Sequence, residues 1–214
     1  MGISDEDVMV LAARVRSTVG DQLPAWPGGW PGQVELALID AIFSIRARYG
    51  QPGTEGRPST GVLAVVERWS EHRGGPADDL LRLREMDIQR LTHILSNKAK
   101  SGGRTKAAVV VDAASRLSEV GLRHASDFTG SAEQKAAYIG VPGCGGITWA
   151  YFGMLLGQPN SKPDTWVQRY IRGSVRSDIS TEDCRRLVNS TARHLDVDAT
   201  RLDHAIWLYA RGRL

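Results

Sequence analysis

The chain has 214 residues and a formal net charge of +3; 42% of its residues are hydrophobic and 24% are charged. These values exclude an intrinsically disordered chain, and no apolar run reaches the roughly 20 residues that span a bilayer, so no membrane partner is expected. Two cysteines and five scattered histidines exclude a disulfide framework, an iron–sulfur cage and an HExxH zinc site, so we expect no cofactor.

Helical periodicity begins near the N-terminus and continues along the chain, and no stretch shows the sustained two-residue alternation of a β-strand. The start MGISDEDVMV lacks the basic and apolar regions of a signal peptide, which predicts a cytoplasmic, nucleoid-associated protein. Ser4 is a candidate N-cap, and the tryptophans of the chain break PAWPGGWPG are predicted to anchor a loop on the core. The predicted helices cover residues 5–19, 33–50, 61–72, 76–86, 87–99, 105–120, 131–140, 147–157, 164–172, 181–195 and 200–211.

This succession of helices predicts an all-α fold of two helical lobes with a cleft between them. The terminal lobe is predicted to comprise residues 1–32 and 173–214, because the first helix and the C-terminal helices can pack together. The central lobe is predicted to comprise the contiguous residues 33–172.

The sequence VPGCGG, which joins two of the predicted helices, has the composition of a tight turn. Pro142 presets φ, while Gly143 and Gly145 allow positive φ and the close approach of another backbone. The amides of Gly145, Gly146 and Ile147 begin the next helix and form an anion site, for which a DNA phosphate is the natural occupant. A purely structural link between two helices is the alternative.

The segment KAKSGGRTK, residues 98–106, carries four cations and no acid. Such a composition suits a loop that faces phosphates, and the mildly basic net charge agrees with nucleic-acid binding. A solvated connector is an equally good interpretation of this segment alone.

Taken together, the motifs VPGCG, LLGQP and PDTWVQRY resemble the helix–hairpin–helix DNA glycosylase superfamily, the group of endonuclease III, MutY and AlkA. That family has a hydrophobic-PGxG hairpin, a helix, an FGxP-like break and an aspartate that opens the next helix. The resemblance is close over residues 131–172, with the hairpin motif at 131–157 and the aspartate helix start at 163–172. Weaker similarity in AIFSIRARYG, GRTKAAVVVDAASRL and LDHAIWLYARG extends it over residues 34–212. It implies an all-α, two-lobed monomer that acts on double-stranded DNA containing a modified base.

The resemblance places the catalytic aspartate at Asp164, for which N-capping of a helix is the alternative role. Cleavage of an N-glycosidic bond builds positive charge on the deoxyribose, as in glycoside hydrolysis. A carboxylate about 4 Å away, at an effective dielectric near 20, would stabilise that charge by roughly 4 kcal/mol, and it could also orient or deprotonate the attacking water.

Relatives that also cut the DNA backbone carry a nucleophilic lysine where this chain has Ile147, so the resemblance implies a monofunctional glycosylase that leaves an abasic site. Lys162, two residues before Asp164, could replace that lysine, but contact with phosphate or solvent is the better interpretation. The cluster cysteines of endonuclease III and MutY are missing, so no iron–sulfur cluster is expected. The family's hairpin often binds a monovalent cation, and residues 141–146 could do so here.

The enzyme has to flip its target base out of the duplex. Arg46, which stands in place of a glutamine of the family, is the candidate to fill the gap, and a surface cation is its alternative role. For the candidate base-contacting residues Phe43, Tyr49, Trp149, Tyr151 and Trp166, packing in the protein is the alternative role. The predicted DNA contacts are Val141, Pro142, Gly143, Gly145, Gly146, Ile147, Thr148, Lys98, Lys100, Arg104, Lys106 and Lys162.

Two other functions remain open: a DNA-binding helix–hairpin–helix protein without catalysis, and a helical domain with a purely structural or protein-binding role. The retained Asp164 disfavours the first, because phosphate binding needs no carboxylate there. The identity of the base is also open among alkylated purines, oxidised bases, mispaired bases and bulky modified pyrimidines of phage DNA. The sequence does not distinguish housekeeping repair from defence against modified foreign DNA.

Overall fold

A computed structural model describes residues 2–26 and 28–212 of the chain. Within these residues the fold is all-α, as predicted, with one small antiparallel sheet. None of the helices in the described part has the length and hydropathy to cross a membrane. The helices are α1 (Asp5–Thr18), α2 (Val34–Phe43), α3 (Gly61–Arg73), α4 (Leu80–Arg84), α5 (Ile88–Leu95), α6 (Lys106–Glu119), α7 (Ala132–Ile139), α8 (Gly146–Leu155), α9 (Thr165–Ser174), α10 (Thr181–Leu195) and α11 (Ala199–Ala210), and a short 3-10 turn covers Ala125–Asp127.

The chain forms two compact units, Met1–Gly28 with Gln158–Leu214 (the terminal unit) and Gly29–Gly157 (the central unit). Residues 1, 27, 213 and 214 belong to the predicted terminal lobe or to the predicted chain break, and they lie outside the described residues.

In the terminal unit, α1, α9, α10 and α11 each bury an apolar face in a shared core. Val167 and Ile171 of α9 are fully buried in this core with Leu11 of α1 and Ile206 of α11. Residues 158–172 therefore belong to the terminal unit, whereas the sequence analysis assigned them to the central lobe. The period of a helix identifies its apolar face but not the element that covers this face.

Residues 29–32 were predicted to belong to the terminal lobe, but they belong to the central unit. The Trp30 backbone N–H donates to Leu155 O at 2.6 Å, and its indole Nε1–H donates to Asp40 Oδ2 at 2.9 Å. Trp30 thus anchors its loop on the core of the central unit, which is the role predicted for the tryptophans of this segment.

The central unit is built around α2, which is buried along its whole length and packs against α3, α6 and α8. The predicted helix over 33–50 ends early, at Phe43. Shortly after it Arg46 adopts a left-handed conformation with φ of 50°, which an α-helix cannot accommodate.

Strands β1 (Lys100–Ser101) and β2 (Arg104–Thr105) pair antiparallel within the segment predicted to be a loop. Gly102 and Gly103 connect them with φ of 57° and 80°. Two consecutive residues with positive φ are the geometry of a tight hairpin turn, for which Gly-Gly is well suited. The β1–β2 turn contributes to the surface described next.

Candidate active site and nucleic-acid interface

Helices α7 and α8 are joined by a tight hairpin in which Gly143 has φ of 102°. The Cys144 N–H donates to Val141 O at 2.9 Å and closes the turn. The Gly145 N–H donates to Thr148 Oγ1 at 3.1 Å. This amide already has an acceptor, contrary to the prediction that it belongs to the anion site. The exposed residues Gly146 and Ile147 open α8, and helix geometry gives the amides of a first turn no acceptor within their own helix. These two amides form the candidate anion site.

The β1–β2 turn packs directly on this hairpin, backbone against backbone. Ser101 Oγ donates to Gly143 O at 3.1 Å. A Cβ built on Gly102 would lie 2.6 Å from Gly143 N and from Pro142 O. The two glycine turns, which are far apart in sequence, therefore form one continuous surface, and the exposed Lys98 lies on the segment that leads into it. Val141, which was also predicted to contact DNA, is only 1% exposed and lies beneath this surface. We call residues 98–105 with 142–147 the paired-turn surface.

The four predicted cations of this region have different environments. Lys98 and Lys100 are exposed. Arg104 is half-buried and forms a salt bridge with Asp112, with Nη2 and Oδ2 3.0 Å apart, so its charge is already partly neutralised. Lys106 is only 2% exposed, so the prediction that it contacts a phosphate is wrong.

Lys106 instead holds the end of α2. Its Nζ donates to Phe43 O at 2.8 Å and to Ile45 O at 2.6 Å, and burial lowers the pKa of its ammonium group. These carbonyls belong to the turn in which Arg46 has positive φ and is exposed. Lys106 directly follows β2, so it ties the Arg46 turn to the segment that carries the paired-turn surface.

Three of the predicted base-contacting aromatics lie in the core instead. Phe43 is 1% exposed, and Trp149 packs against Phe128 and Tyr138 with ring centroids 5.1 and 5.5 Å apart. Tyr151 is 8% exposed, and its hydroxyl donates to Asp40 at 3.2 Å. A base cannot stack on side chains that the core already covers, so packing is the role that the structure gives them.

Tyr49 is half-buried and shares the buried carboxylate of Asp40, to which its hydroxyl donates at 2.7 Å. Ser44 Oγ donates to the same carboxylate at 3.0 Å. Burial, together with the negative charge of Asp40, raises the pKa of the Tyr49 hydroxyl. This network fixes the chain on both sides of the exposed Arg46.

Asp164 is the N-cap of α9 and is partly exposed. Its Oδ1 accepts hydrogen bonds from the amides of Trp166 at 2.8 Å and Val167 at 3.1 Å, and its Oδ2 accepts one from Trp207 Nε1–H at 3.1 Å. A carboxylate has about four acceptor positions, so these donors leave one lone pair on Oδ2 for a substrate or a water. Capping and a functional role are therefore compatible at this residue.

Trp166, two residues after Asp164, is 38% exposed, unlike the other large aromatics proposed from the sequence. The Arg169 guanidinium lies over its ring, 5.1 Å from the centroid. An exposed indole beside an arginine offers a flat face to a nucleobase.

Asp203, which the sequence analysis missed, belongs to the terminal unit and interacts electrostatically with Asp164. It is 7% exposed and accepts a 2.6 Å hydrogen bond from Ser161 Oγ. Burial raises the pKa of its carboxyl to about 7, and the charge of Asp164 acts in the same direction. The available signal was an acid inside the apolar helix LDHAIWLYA. Lys162, two residues before Asp164, is half-buried, and its positive charge acts to lower the pKa of Asp203.

Neither Cys144 nor Cys184 forms a disulfide, and no group of three or more metal-ligating side chains occurs among residues 2–26 and 28–212. The monovalent cation implied for residues 141–146 stays a prediction.

Comparison with known proteins gives a family and a fold. The model of the family DUF8548, described as a domain of unknown function, matches residues 9–211. No curated protein matches the chain. The chain is similar to a solved structure reported as "Structure of a Trapped Endonuclease III-DNA Covalent Intermediate: Estranged-Adenine Complex", with a TM-score of 0.61, 15% identity, and coverage of 98% of this chain and 87% of that one. The similarity shows that this chain has the fold of endonuclease III.

Proposed function

We propose that this chain, which belongs to the DUF8548 family, is a monofunctional DNA glycosylase. In this proposal it hydrolyses the N-glycosidic bond of a modified base that has been flipped out of double-stranded DNA, and it leaves an abasic site. The observation that carries the proposal is a partly exposed carboxylate, Asp164, held by three hydrogen bonds at the start of α9 in a chain with the endonuclease III fold.

The paired-turn surface supplies the DNA grip. The amides of Gly146 and Ile147 and the positive end of the α8 dipole attract a phosphate, and Lys98 and Lys100 add exposed positive charge nearby. Contacts of this kind do not depend on base sequence. They position the duplex, and recognition of the modified base falls to other residues, with the exposed Trp166 and Arg46 as the candidates.

Asp164 supplies the chemistry. As the bond between C1′ and the base nitrogen breaks, its electron pair leaves with the base and positive charge develops on the sugar. A carboxylate about 4 Å away would stabilise that charge by roughly 4 kcal/mol, which is about a thousandfold in rate. Water then adds to C1′ and loses a proton, and the departing base nitrogen takes up a proton, so that the charges balance. The remaining lone pair on Oδ2 can accept the hydrogen bond that orients this water.

The decisive variant is Asp164→Asn. Asparagine caps helices as well as aspartate does, so the fold is preserved while the negative charge is lost. We expect release of the modified base to fall about a thousandfold, while the dissociation constant for DNA changes less than about threefold. The control is Asp87→Asn, which makes the same change at the N-cap of α5 and should release base at the wild-type rate.

The measurement is a time course of free-base release by mass spectrometry on duplexes that carry alkylated purines, oxidised bases, mispairs or bulky modified pyrimidines. Undiminished release by Asp164→Asn would reject the mechanism. DNA binding without base release from any of these duplexes would favour the alternative, a non-catalytic helix–hairpin–helix DNA-binding protein. That alternative draws on one observation: three intramolecular donors already use the Asp164 carboxylate, as in a purely structural cap.

A further inference from the structure

The segment that leads into Asp164 is attached to the first turns of α11. The Asn160 N–H donates to Thr200 Oγ1 at 3.2 Å, and the Thr200 hydroxyl in turn donates to Asn160 O at 3.1 Å. One residue later, the fully buried Ser161 donates its hydroxyl to Asp203 at 2.6 Å. These bonds restrain the backbone immediately before Pro163 and Asp164.

Asp164 itself is attached to the same helix, through the 3.1 Å hydrogen bond from Trp207 Nε1. The three α11 residues that make these contacts, Thr200, Asp203 and Trp207, are spaced by three and four positions. Residues with that spacing lie on one face of a helix. One face of α11 therefore sets both the path of the chain before Asp164 and the orientation of its carboxylate.

Asp203 is the only acidic residue among these three. The charged and titratable groups around it come from the segment before Asp164, from α10 and from α11. The preceding segment contributes Asp164, which disfavours ionisation of Asp203, and Lys162, which favours it. From α10, Arg185 reaches Asn160 Oδ1 at 3.2 Å. On α11 itself, His204 stacks on Trp207 with ring centroids 5.9 Å apart. Because burial is the largest influence, the pKa of Asp203 lies at about 7.

We propose that Asp203 is a positioning residue for Asp164: through Ser161 it fastens the segment before Asp164, and when ionised it adds a second negative charge near that carboxylate. The inference rests on the proposed function. If this charge were roughly 12 Å from the reacting sugar, at an effective dielectric near 20, it would change the rate about tenfold. Base release therefore accelerates as pH rises through neutrality, when Asp203 loses its proton.

The first test is the rate of base release in single turnovers, from about pH 5.5 to about pH 8.5. Wild type should become about tenfold faster across this range, whereas Asp203→Asn, which still accepts the Ser161 hydrogen bond, should stay near the low-pH rate. Base release by Ser161→Ala should be slower than in wild type at every pH, and it should still accelerate as pH rises. The control Asp178→Asn, at an exposed acid of the same unit, should keep the wild-type profile. A rise of the same size in Asp203→Asn would overturn the inference.

The second test needs no activity. The carboxyl ¹³C resonance of Asp203 is titrated in wild type and in Asp164→Asn, without DNA. Removal of the Asp164 charge should move the Asp203 midpoint to lower pH. An unmoved midpoint overturns the inference whether or not base is released. A moved midpoint in a protein that releases no base from any duplex rejects the proposed function and leaves the coupling between the two carboxyls standing.

Discussion

Gly102 and Gly143 lie in backbone contact, so that a Cβ on Gly102 would come within 2.6 Å of the Gly143 nitrogen. This contact joins the β1–β2 turn to the hairpin before α8. Neither residue can carry a side chain without separating the two turns, because each has positive φ and each faces backbone atoms of the other turn. The integrity of the paired-turn surface should therefore depend on this pair.

The change Gly102→Ala tests that dependence. We expect it to lower the free energy of unfolding by about 2–4 kcal/mol, from left-handed strain and from the clash with the hairpin, and to weaken DNA binding. The control is Gly103→Ala in the same turn, which also has positive φ but has open space at its Cβ position. It should cost only about 1 kcal/mol. Equal losses for the two variants in urea unfolding would show that the contact is unimportant.

Gly145→Ala and Gly146→Ala should separate DNA binding from folding. Neither glycine has positive φ, and an added Cβ would meet no atom within 4 Å at either position, so both variants should fold normally. A methyl group beside the candidate anion site should nevertheless hinder a phosphate, and we expect the affinity for a labelled duplex to fall about tenfold. Gly75→Ala, which also has open space at its Cβ position, is the control and should bind as wild type does. Unchanged affinity in both hairpin variants would remove the hairpin from the DNA interface.

Lys106→Met should affect stability but not DNA binding, whereas Lys100→Met should affect DNA binding but not stability. Loss of the buried Lys106 ammonium leaves the carbonyls of Phe43 and Ile45 without their donor, so we expect the free energy of unfolding to fall by about 2–3 kcal/mol. The dependence of DNA affinity on salt should stay the same, because this charge does not reach phosphate. Lys100→Met should leave stability unchanged and reduce the slope of log affinity against log salt by about one. A reduced salt slope in Lys106→Met would restore its predicted phosphate contact.

Asp203 should make stability depend on pH. The pKa of its carboxyl is about 7 in the folded protein, compared with 3.8 for an unperturbed aspartate, which represents the unfolded chain. Between pH 3.8 and about pH 7 the folded state therefore binds more protons than the unfolded state. The contribution of this group to stability therefore falls as pH rises through that window. Asp203→Asn removes the effect, and its stability relative to wild type should increase by up to about 4 kcal/mol from about pH 4 to about pH 8. A difference between variant and wild type that is the same at both pH values would contradict the burial-raised pKa.

The chain should release base without forming a covalent link to DNA. It has Ile147 at the position where the resemblance places the nucleophilic lysine of relatives that cut the DNA backbone. We expect no adduct when borohydride is added during turnover, and strand cleavage only after alkali. A trapped adduct in wild type would contradict the prediction. If that adduct then disappeared in Lys162→Met, the nucleophile would be Lys162.

Several features of the site could be predicted from residues that are close in sequence. Ser4 caps α1 and Asp164 caps α9 as expected, because a cap bonds to amides two or three positions away. Gly143 has the positive φ that a PGxG turn suggests. In contrast, α2 ends at Phe43 in the middle of a good helical pattern, where Arg46 is left-handed and where Lys106, far along the chain, binds the carbonyls of Phe43 and Ile45.

The sequence by itself determined the all-α class, the positions of most helices and the hairpin, since each follows from periodicity or from bonds within a few residues. The candidate role of Asp164 came from the resemblance of its motifs to a known family. Only the tertiary structure decided that Lys106 is buried, that Gly102 meets Gly143, that residues 158–172 pack with the chain termini, and that Asp203 interacts with Asp164. Each of these depends on which apolar faces cover one another, and periodicity shows that a face is apolar without showing its partner.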